Sequence, residues 1–379
     1  MQNCFNMIKI KAVGDLMPGG ILSGSDSVFV TDNVRDYLRD ADIRVGTLEC
    51  SIGNKPTFCK KKLQHSSAFV YAKEEDLERI KYLGFDAVSL ANNHFFDLGE
   101  DGAIHTIELL NQLGIKYFGA GKTLEEAQAP LVYDINGESV AFLGFCDTHL
   151  KHMQFATSST SGVNPMEKNH VIKSIQNAKK QYNYVVVLVH WGKEHTWWPR
   201  PHVVRMARVM RKAGALLVLG DHPHRIQSLQ KNRICPVAFS LGNFLFPDRM
   251  INTPYVTYYP ENDIDVFHLP RVYGFERVSE PSIKSWPNIS NIGMVIEARC
   301  ENDRIMADYQ LTQITRKGLI DFYRDSNVIK KKLSFFSFWI GLPFYSPFIY
   351  ISDILVCYIK KGRDLSLRCV KRLYLRLEQ

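Results

Sequence analysis

The sequence predicts an α/β fold, and three observations support this prediction. Apolar runs of strand length alternate along the chain with helix-like segments, as in a layered α/β fold. The run 184–189 is apolar throughout, as expected of a strand buried on both faces of its sheet. Five strand-like runs end on a polar residue that can bind a metal ion. Ligands of α/β sheets collect at the carboxyl ends of strands, so we expect a site at one sheet edge.

The predicted elements follow one another in a regular order. Residues 8–13 alternate apolar and basic side chains, which indicates a strand with one buried face. Gly84, Gly114 and Gly214 each follow a predicted helix and suit its C-terminal cap. The predicted strands are 8–13, 43–48, 87–90, 140–145, 184–189, 215–219, 236–240, 293–299 and 305–314, and the predicted helices are 31–39, 74–83, 101–113 and 203–213. Together they form one predicted domain, residues 1–320.

Two regions depart from this order. Residues 249–290 are rich in Pro, Tyr and Asn and show little periodicity, so we interpret them as an insertion loop that covers the site. Residues 321–379 form a basic and apolar tail, in which lysines 330–332 and 360–361 flank the aromatic, apolar run 333–359.

Two interpretations of the tail stay open. The run is long enough to span a bilayer, but Pro343, Pro347 and Asp353 argue against a straight span. An interfacial segment over residues 330–361 would place its lysines against anionic headgroups. Alternatively, the run forms a helical hairpin that packs on the core.

Composition limits the class of partner. The formal net charge is +8, which suits an anionic polymer, a phosphorylated substrate or a membrane surface. Without zinc-finger spacing or an aromatic-basic repeat, no nucleic-acid partner is expected. Eight scattered cysteines without a CxxC pair indicate free thiols in a reducing compartment. The first residues show no apolar stretch of signal-peptide length, so we expect a cytoplasmic protein, attached peripherally at the inner membrane face if the tail is interfacial.

Polar residues at the predicted strand ends form a candidate metal site. Each is weak evidence alone: Asp15 could bond backbone amides in a loop, and His190 could be a core histidine. His222 and His224 form a stronger signal, because two imidazoles one residue apart suit a borderline transition metal. The full set, in chain order, is Asp15, Glu49, Asn93, His190, His222 and His224. Mixed oxygen and nitrogen ligands fit zinc, manganese or iron, and a bridging carboxylate would hold two ions roughly 3.5–4 Å apart.

Six ordered blocks resemble the CapA, or poly-gamma-glutamate capsule biosynthesis, family. They are VGDLM, GTLECS, SLANNHFFDLGEDG, HWGKEH, GDHPHRIQ and FSLGNFLF, within residues 8–247. The family is a branch of the calcineurin-like metallophosphoesterase superfamily. The resemblance implies a four-layer αββα sandwich that holds one or two divalent transition metal ions at one edge.

The resemblance also assigns roles to residues. It makes the six polar residues above the metal ligands, with Glu49 at the position of a bridging aspartate, and His94 the catalytic histidine. Within the same blocks, Asp221 adds negative charge directly before the paired histidines. Glu194 is a candidate for a supporting role or for a surface ion pair, and Asn243 for lining the pocket or for a turn. Met17 is a departure, since phosphoesterases carry a histidine there and a thioether is a poor ligand for such metals.

Two functional hypotheses follow. The first is a metal-dependent hydrolase of phosphoester or amide bonds that acts in capsule or exopolymer biosynthesis, with His94 as general acid or electrostatic stabiliser. The second is a non-catalytic accessory protein that binds an anionic polymer or a synthesis complex at the membrane. The six retained ligand positions favour the enzyme, whereas Met17 and the tail favour the accessory protein.

Overall fold

The computed structural model describes residues 7–54, 58–60, 69–150, 153–252, 256–257, 269–272, 280–342, 345–346 and 349. All structural statements below concern these residues. Within them, no helix combines the length and the apolar character that crossing a bilayer requires.

The secondary structure alternates as the sequence predicts. The strands are β1 (Ile8–Leu16), β2 (Ile43–Leu48), β3 (Ser51–Ile52), β4 (Tyr71–Ala72), β5 (Ala87–Ser89), β6 (Lys116–Phe118), β7 (Ala120–Gly121), β8 (Leu131–Ile135), β9 (Glu138–Cys146), β10 (Gly162–Val163), β11 (Tyr184–His190), β12 (Leu217–Asp221), β13 (Leu229–Gln230), β14 (Val237–Ala238), β15 (Asn243–Leu245), β16 (Arg249–Asn252), β17 (Val256–Thr257), β18 (Arg271–Val272), β19 (Ser282–Lys284), β20 (Ile292–Glu301), β21 (Arg304–Ile314) and β22 (Ile320–Phe322). The α-helices are α1 (Asp32–Arg39), α2 (Glu78–Tyr82), α3 (Gly99–Gln112), α4 (Leu124–Gln128), α5 (Lys168–Lys179), α6 (Pro201–Ala213) and α7 (Ser326–Ile340). Short 3-10 helices cover Gly20–Leu22, Glu74–Leu77 and Asn288–Asn291.

Two sheets form the centre of the molecule. The first has the order β22-β21-β20-β1-β2-β5-β6, and β15 pairs with β1. The second has the order β13-β14-β12-β11-β9-β8. Strands β1, β2, β5, β6 and β15 are parallel in the first sheet, and β9, β11, β12 and β14 are parallel in the second. Each sheet therefore has an edge where several carboxyl ends meet.

Apolar side chains hold four layers together. Ile10 and Val45 of the first sheet join Val186 of the second in one core between the sheets. Helices α1 and α3 cover the outer face of the first sheet through Leu38 and Leu110. Helices α5 and α6 pack on the outer face of the second sheet, where Ile175 and Val203 share a core cluster with Val187. The predicted four-layer αββα sandwich is therefore confirmed.

The insertion differs from the predicted loop. The described parts of residues 249–290 contain β16 to β19, which form a small four-stranded sheet. Each strand has only two to four residues. Runs this short show no alternation that a sequence pattern can reveal, so periodicity missed them.

The first part of the tail packs on the core. Helix α7 contributes Ile329 and Leu333 to the core between the sheets, and Ile340 joins the cluster under α5 and α6. The opposite side of α7 exposes Phe335 and Phe338 by 57% and 66%. Residues 350–361, the end of the predicted membrane-contacting segment, lie outside the described residues.

Candidate metal centre

Strand ends bring the predicted ligands to one place. Asp15 lies in β1 opposite Asn243 of β15, and His190 ends β11 opposite Asp221 of β12. Glu49 follows β2 directly and donates its backbone N–H to Leu16 O at 2.9 Å. The close approach of β15 requires Gly14, because a Cβ there would lie 2.0 Å from Gly242 O.

Two carboxylates lie at the bottom of the site without hydrogen bonds. Asp15 and Glu49 are 0% exposed, and all four of their carboxylate oxygens lack a hydrogen-bond partner in the described structure. The nearest cationic groups are imidazoles: His224 Nδ1 is 3.3 Å from Asp15 Oδ2, and His190 Nε2 is 3.4 Å from Glu49 Oε1. Because buried charges in proteins are paired or coordinate metals, these orphaned oxygens fit a cation site.

The ligand atoms form overlapping groups around Glu49. One group of atoms within 4.8 Å of one another comes from Glu49, His190 and His222, and another from Asp15, Glu49 and His224. Glu49 belongs to both, which is the arrangement that a carboxylate shared between two ions requires. This donor set of carboxylates and imidazoles fits zinc, manganese or iron.

Asp221 orients the His190 ring. Its Oδ1 lies 2.7 Å from His190 Nδ1, and its other oxygen contacts the Thr47 hydroxyl. His190 Nε2 therefore faces the centre, where Asn93 Oδ1 lies at 2.6 Å and His222 Nδ1 at 3.1 Å. A carboxylate behind a ligating histidine fixes its tautomer and direction, and Asp221 occupies this position behind His190.

The His222–Pro223–His224 turn has an unusual backbone. His222 and His224 have φ values of 87° and 48°, in the left-handed region that non-glycine residues rarely adopt. Such strain persists only where the surrounding structure imposes it, and it concentrates at functional sites. Asn243 Oδ1 lies 2.9 Å from His224 Nδ1 and so holds that ring.

The catalytic candidate His94 has the Asp97 carboxylate beside its ring. Its Nδ1 lies 2.7 Å from Asp97 Oδ2, which also accepts the Val70 N–H at 2.6 Å. Asn92 Oδ1 accepts the His94 backbone N–H at 2.9 Å. Sequence analysis missed Asp97, although its position three residues after a candidate catalytic histidine could have indicated an orienting partner.

Charge in the site is unevenly distributed. Burial and the Glu49 charge raise the pKa of Asp15 to about 8. Burial alone would raise the pKa of Glu49, but the charges of His224 and His190 outweigh it and hold that pKa well below its usual range. The charge of Glu49 and the contact with Asp15 raise the pKa of His224 to about 9, against the opposing effect of burial. The metal-free site therefore retains protons that a bound cation would displace.

Glu194, Met17 and Trp286 belong to none of the described groups of candidate ligands. Glu194 Oε2 lies 3.8 Å from His195 Nε2. Met17 is fully buried and packs in the core beside the first sheet. Trp286, from the insertion, packs its ring 4.6 Å from that of His224, a contact that the sequence pattern did not predict.

Comparison with known proteins places the chain in a family. The family described as "Bacterial capsule synthesis protein PGA_cap" matches residues 9–248. The capsule biosynthesis protein CapA of Bacillus anthracis is 34% identical over 248 residues, which cover 62% of this chain and 58% of that protein. The PGA biosynthesis protein CapA of Bacillus subtilis is 31% identical over 249 residues, which cover 64% of each protein. The chain thus spans less than two thirds of the length of either relative.

A solved structure is less similar to this chain than the two CapA proteins are in sequence. The 5'-nucleotidase of Candida albicans superposes with a TM-score of 0.41 at 12% identity, over 89% of this chain and 58% of that one. The sequence match alone covers well over half of the chain. The predicted resemblance to CapA is confirmed, and this chain belongs to the PGA_cap family of bacterial capsule synthesis proteins.

Proposed function

We propose that this protein is a metal-dependent hydrolase of phosphoester or amide bonds that acts in the synthesis of a capsule or a poly-gamma-glutamate-like polymer. The observation that carries the proposal is the pair of buried, hydrogen-bond-free carboxylates, Asp15 and Glu49, among three imidazoles. The polymer class comes from the names of the two Bacillus relatives.

In this proposal the side chains have three roles: metal binding, positioning of the ligand rings and proton donation. Asp15, Glu49, Asn93, His190, His222 and His224 would hold one or two divalent ions. When bound, such an ion polarises a phosphoryl or carbonyl oxygen and lowers the pKa of water. Asp221 and Asn243 keep the rings of His190 and His224 in place. His94, whose Nδ1 is held by Asp97, presents its other nitrogen as a proton donor to a leaving group.

A second candidate function rests on Met17. Its buried thioether stands where phosphoesterases carry a histidine, and it supplies no ligand for a zinc-like ion. An accessory protein would bind an anionic polymer or a synthesis complex without cleaving a bond. Such a protein would bind poly-gamma-glutamate equally well with and without His94.

A hydrolysis screen separates the two functions. The full-length protein is loaded with zinc or manganese and incubated with model phosphoesters and γ-glutamyl amides, beside a His94→Ala variant. We expect turnover by the wild type that falls about 10²–10⁴-fold in the variant. Polymer binding without turnover in either protein would refute the hydrolase and leave the accessory function.

We also propose that α7 attaches the protein peripherally to an anionic membrane surface. Phe335 and Phe338 protrude from this helix, and Lys332 Nζ lies 3.6 Å from the Trp197 ring, so cationic and aromatic groups share this surface. A Phe335→Ser/Phe338→Ser variant should bind vesicles of phosphatidylglycerol about tenfold more weakly. Val28→Ser, which is 75% exposed and lies outside α7, is the control. Equal sedimentation of all three proteins would contradict this attachment.

A further inference from the structure

A second group of metal-binding side chains lies outside the centre described above. It consists of Asp147, directly after β9, His149 in the following loop, and His202 in the first turn of α6. One ligand atom from each residue lies within 4.8 Å of the other two. None of the three belongs to the predicted ligand set.

The carboxylate draws both imidazoles together. Asp147 Oδ1 lies 2.8 Å from His149 Nδ1, and Asp147 Oδ2 lies 2.8 Å from His202 Nε2. The two rings lie 4.4 Å apart with an interplanar angle of 33°. In a tetrahedral zinc site with bonds of about 2.0 Å, ligand atoms are about 3.3 Å apart, so small shifts would suffice to admit an ion.

Two backbone N–H groups also donate hydrogen bonds to the Asp147 carboxylate. The N–H of His149 donates to Asp147 Oδ1 at 3.0 Å, and the N–H of Gly192 donates to Asp147 Oδ2 at 3.3 Å. The carboxylate is therefore positioned by groups that an ion would not displace. Such outer contacts fix the direction of a ligand before the ion arrives.

The cluster is open to solvent, unlike the main centre. The side chain of Asp147 is fully buried, whereas those of His149 and His202 are 67% and 24% exposed. An ion held here would keep free coordination positions that face water. Two imidazoles and one carboxylate with open positions form a ligand set that zinc and ferrous iron use.

We infer that Asp147, His149 and His202 form a second binding site for a divalent transition metal ion. The ion would connect the loop after β9 to the start of α6. It would also lie close to the main centre, since the Asp147 N–H donates to His190 O at 2.8 Å. The inference concerns metal binding alone and does not depend on the proposed hydrolysis.

Metal titration of the full-length protein tests this site. Zinc stoichiometry and cobalt absorption spectra are measured for the wild type and for His149→Ala, His202→Ala and His105→Ala variants. His105 is the matched control, because its Nε2 lies 3.0 Å from a Glu74 oxygen but it has no place in the cluster. We expect the first two substitutions to weaken one class of site about 100-fold or more and the control to leave it unchanged.

A His190→Ala/His222→Ala background isolates the second site. There the remaining ion should still bind, and adding His149→Ala should remove it. If His149→Ala and His202→Ala bind zinc with the stoichiometry and affinity of the wild type, the inference is wrong. The inference is also wrong if the His190→Ala/His222→Ala variant binds no metal ion at all. That result would contradict only the second site and would still support the main centre.

Discussion

Asp15 and Asp147 are both fully buried at the carboxyl ends of central strands, yet their surroundings differ. Asp15 has no hydrogen-bond donor for either oxygen, and burial together with the Glu49 charge raises its pKa to about 8. Asp147 accepts from His149, His202 and Gly192. Burial acts to raise the pKa of Asp147 as well, but hydrogen bonds from the two histidines outweigh it and hold that pKa well below its usual range.

The difference shows that burial alone does not identify a cation site. A buried carboxylate without donors has a large desolvation cost that an ion can offset, so the main centre should depend on its metal. A carboxylate with four donor groups from three residues is already stabilised, so an ion at Asp147 would be optional for folding. Asp97 belongs to the second type, since His94 and the Val70 N–H both contact it.

The largest expected effect is loss of metal from the main centre. A His190→Ala/His222→Ala variant removes two imidazoles that face Glu49, and we expect the ion of this centre to be lost. Elemental analysis after loading with zinc or manganese measures this. A metal content equal to that of the wild type would show that the centre is wrongly assigned.

The next effect separates catalysis from metal retention. His94 Nδ1 lies beside Asp97, and His94 belongs to none of the described groups of candidate ligands, so His94→Ala should keep the metal. Any hydrolytic activity should fall about 10²–10⁴-fold, because the variant lacks a positioned acid. Metal analysis of the variant tests the retained metal, and kinetics on the same sample test the loss of activity. Joint loss of metal and activity would mean that His94 supports the ions.

Opposite stability changes test the comparison directly. In metal-free protein at pH 9, above the Asp15 pKa of about 8, Asp15→Asn removes a buried charge without donors and should raise the free energy of unfolding by roughly 1–4 kcal/mol. Asp147→Asn weakens charged hydrogen bonds and should lower it by about 1.5–3 kcal/mol. Denaturant unfolding with a chelator present measures both. Changes of the same sign would show that the two aspartates do not differ as argued.

The last effect concerns the dependence of stability on pH. The folded-state pKa values of Asp15 and His224, about 8 and about 9, lie above those of the unfolded chain, so the folded protein holds more protons. Metal-free protein should therefore lose stability as the pH rises from about 6.5 to about 9. Saturating metal replaces these protons, so the melting temperatures of loaded and metal-free protein should diverge over this range. If the melting temperatures of loaded and metal-free protein change equally with pH, these protons are not replaced by the metal.

Several features follow from the sequence alone. Strand and helix alternation predicts the α/β class, because side-chain periodicity is a local property. The polar residues at strand ends predict which side chains converge, since parallel strands in one sheet end at a common edge. The structure brings Asp15, Glu49, His190, His222 and His224 together there, as those positions suggested.

Other features depend on contacts between distant parts of the chain. His202 reaches Asp147 across 55 residues, and Trp286 reaches His224 from an insertion without readable periodicity. The tail sequence left membrane contact and core packing open, whereas the fold buries Ile329 and Leu333 of α7. Local patterns determine where a strand ends and which residue stands there. Which donors surround a carboxylate is decided by the packing of layers, and so only the tertiary structure distinguishes Asp15 from Asp147.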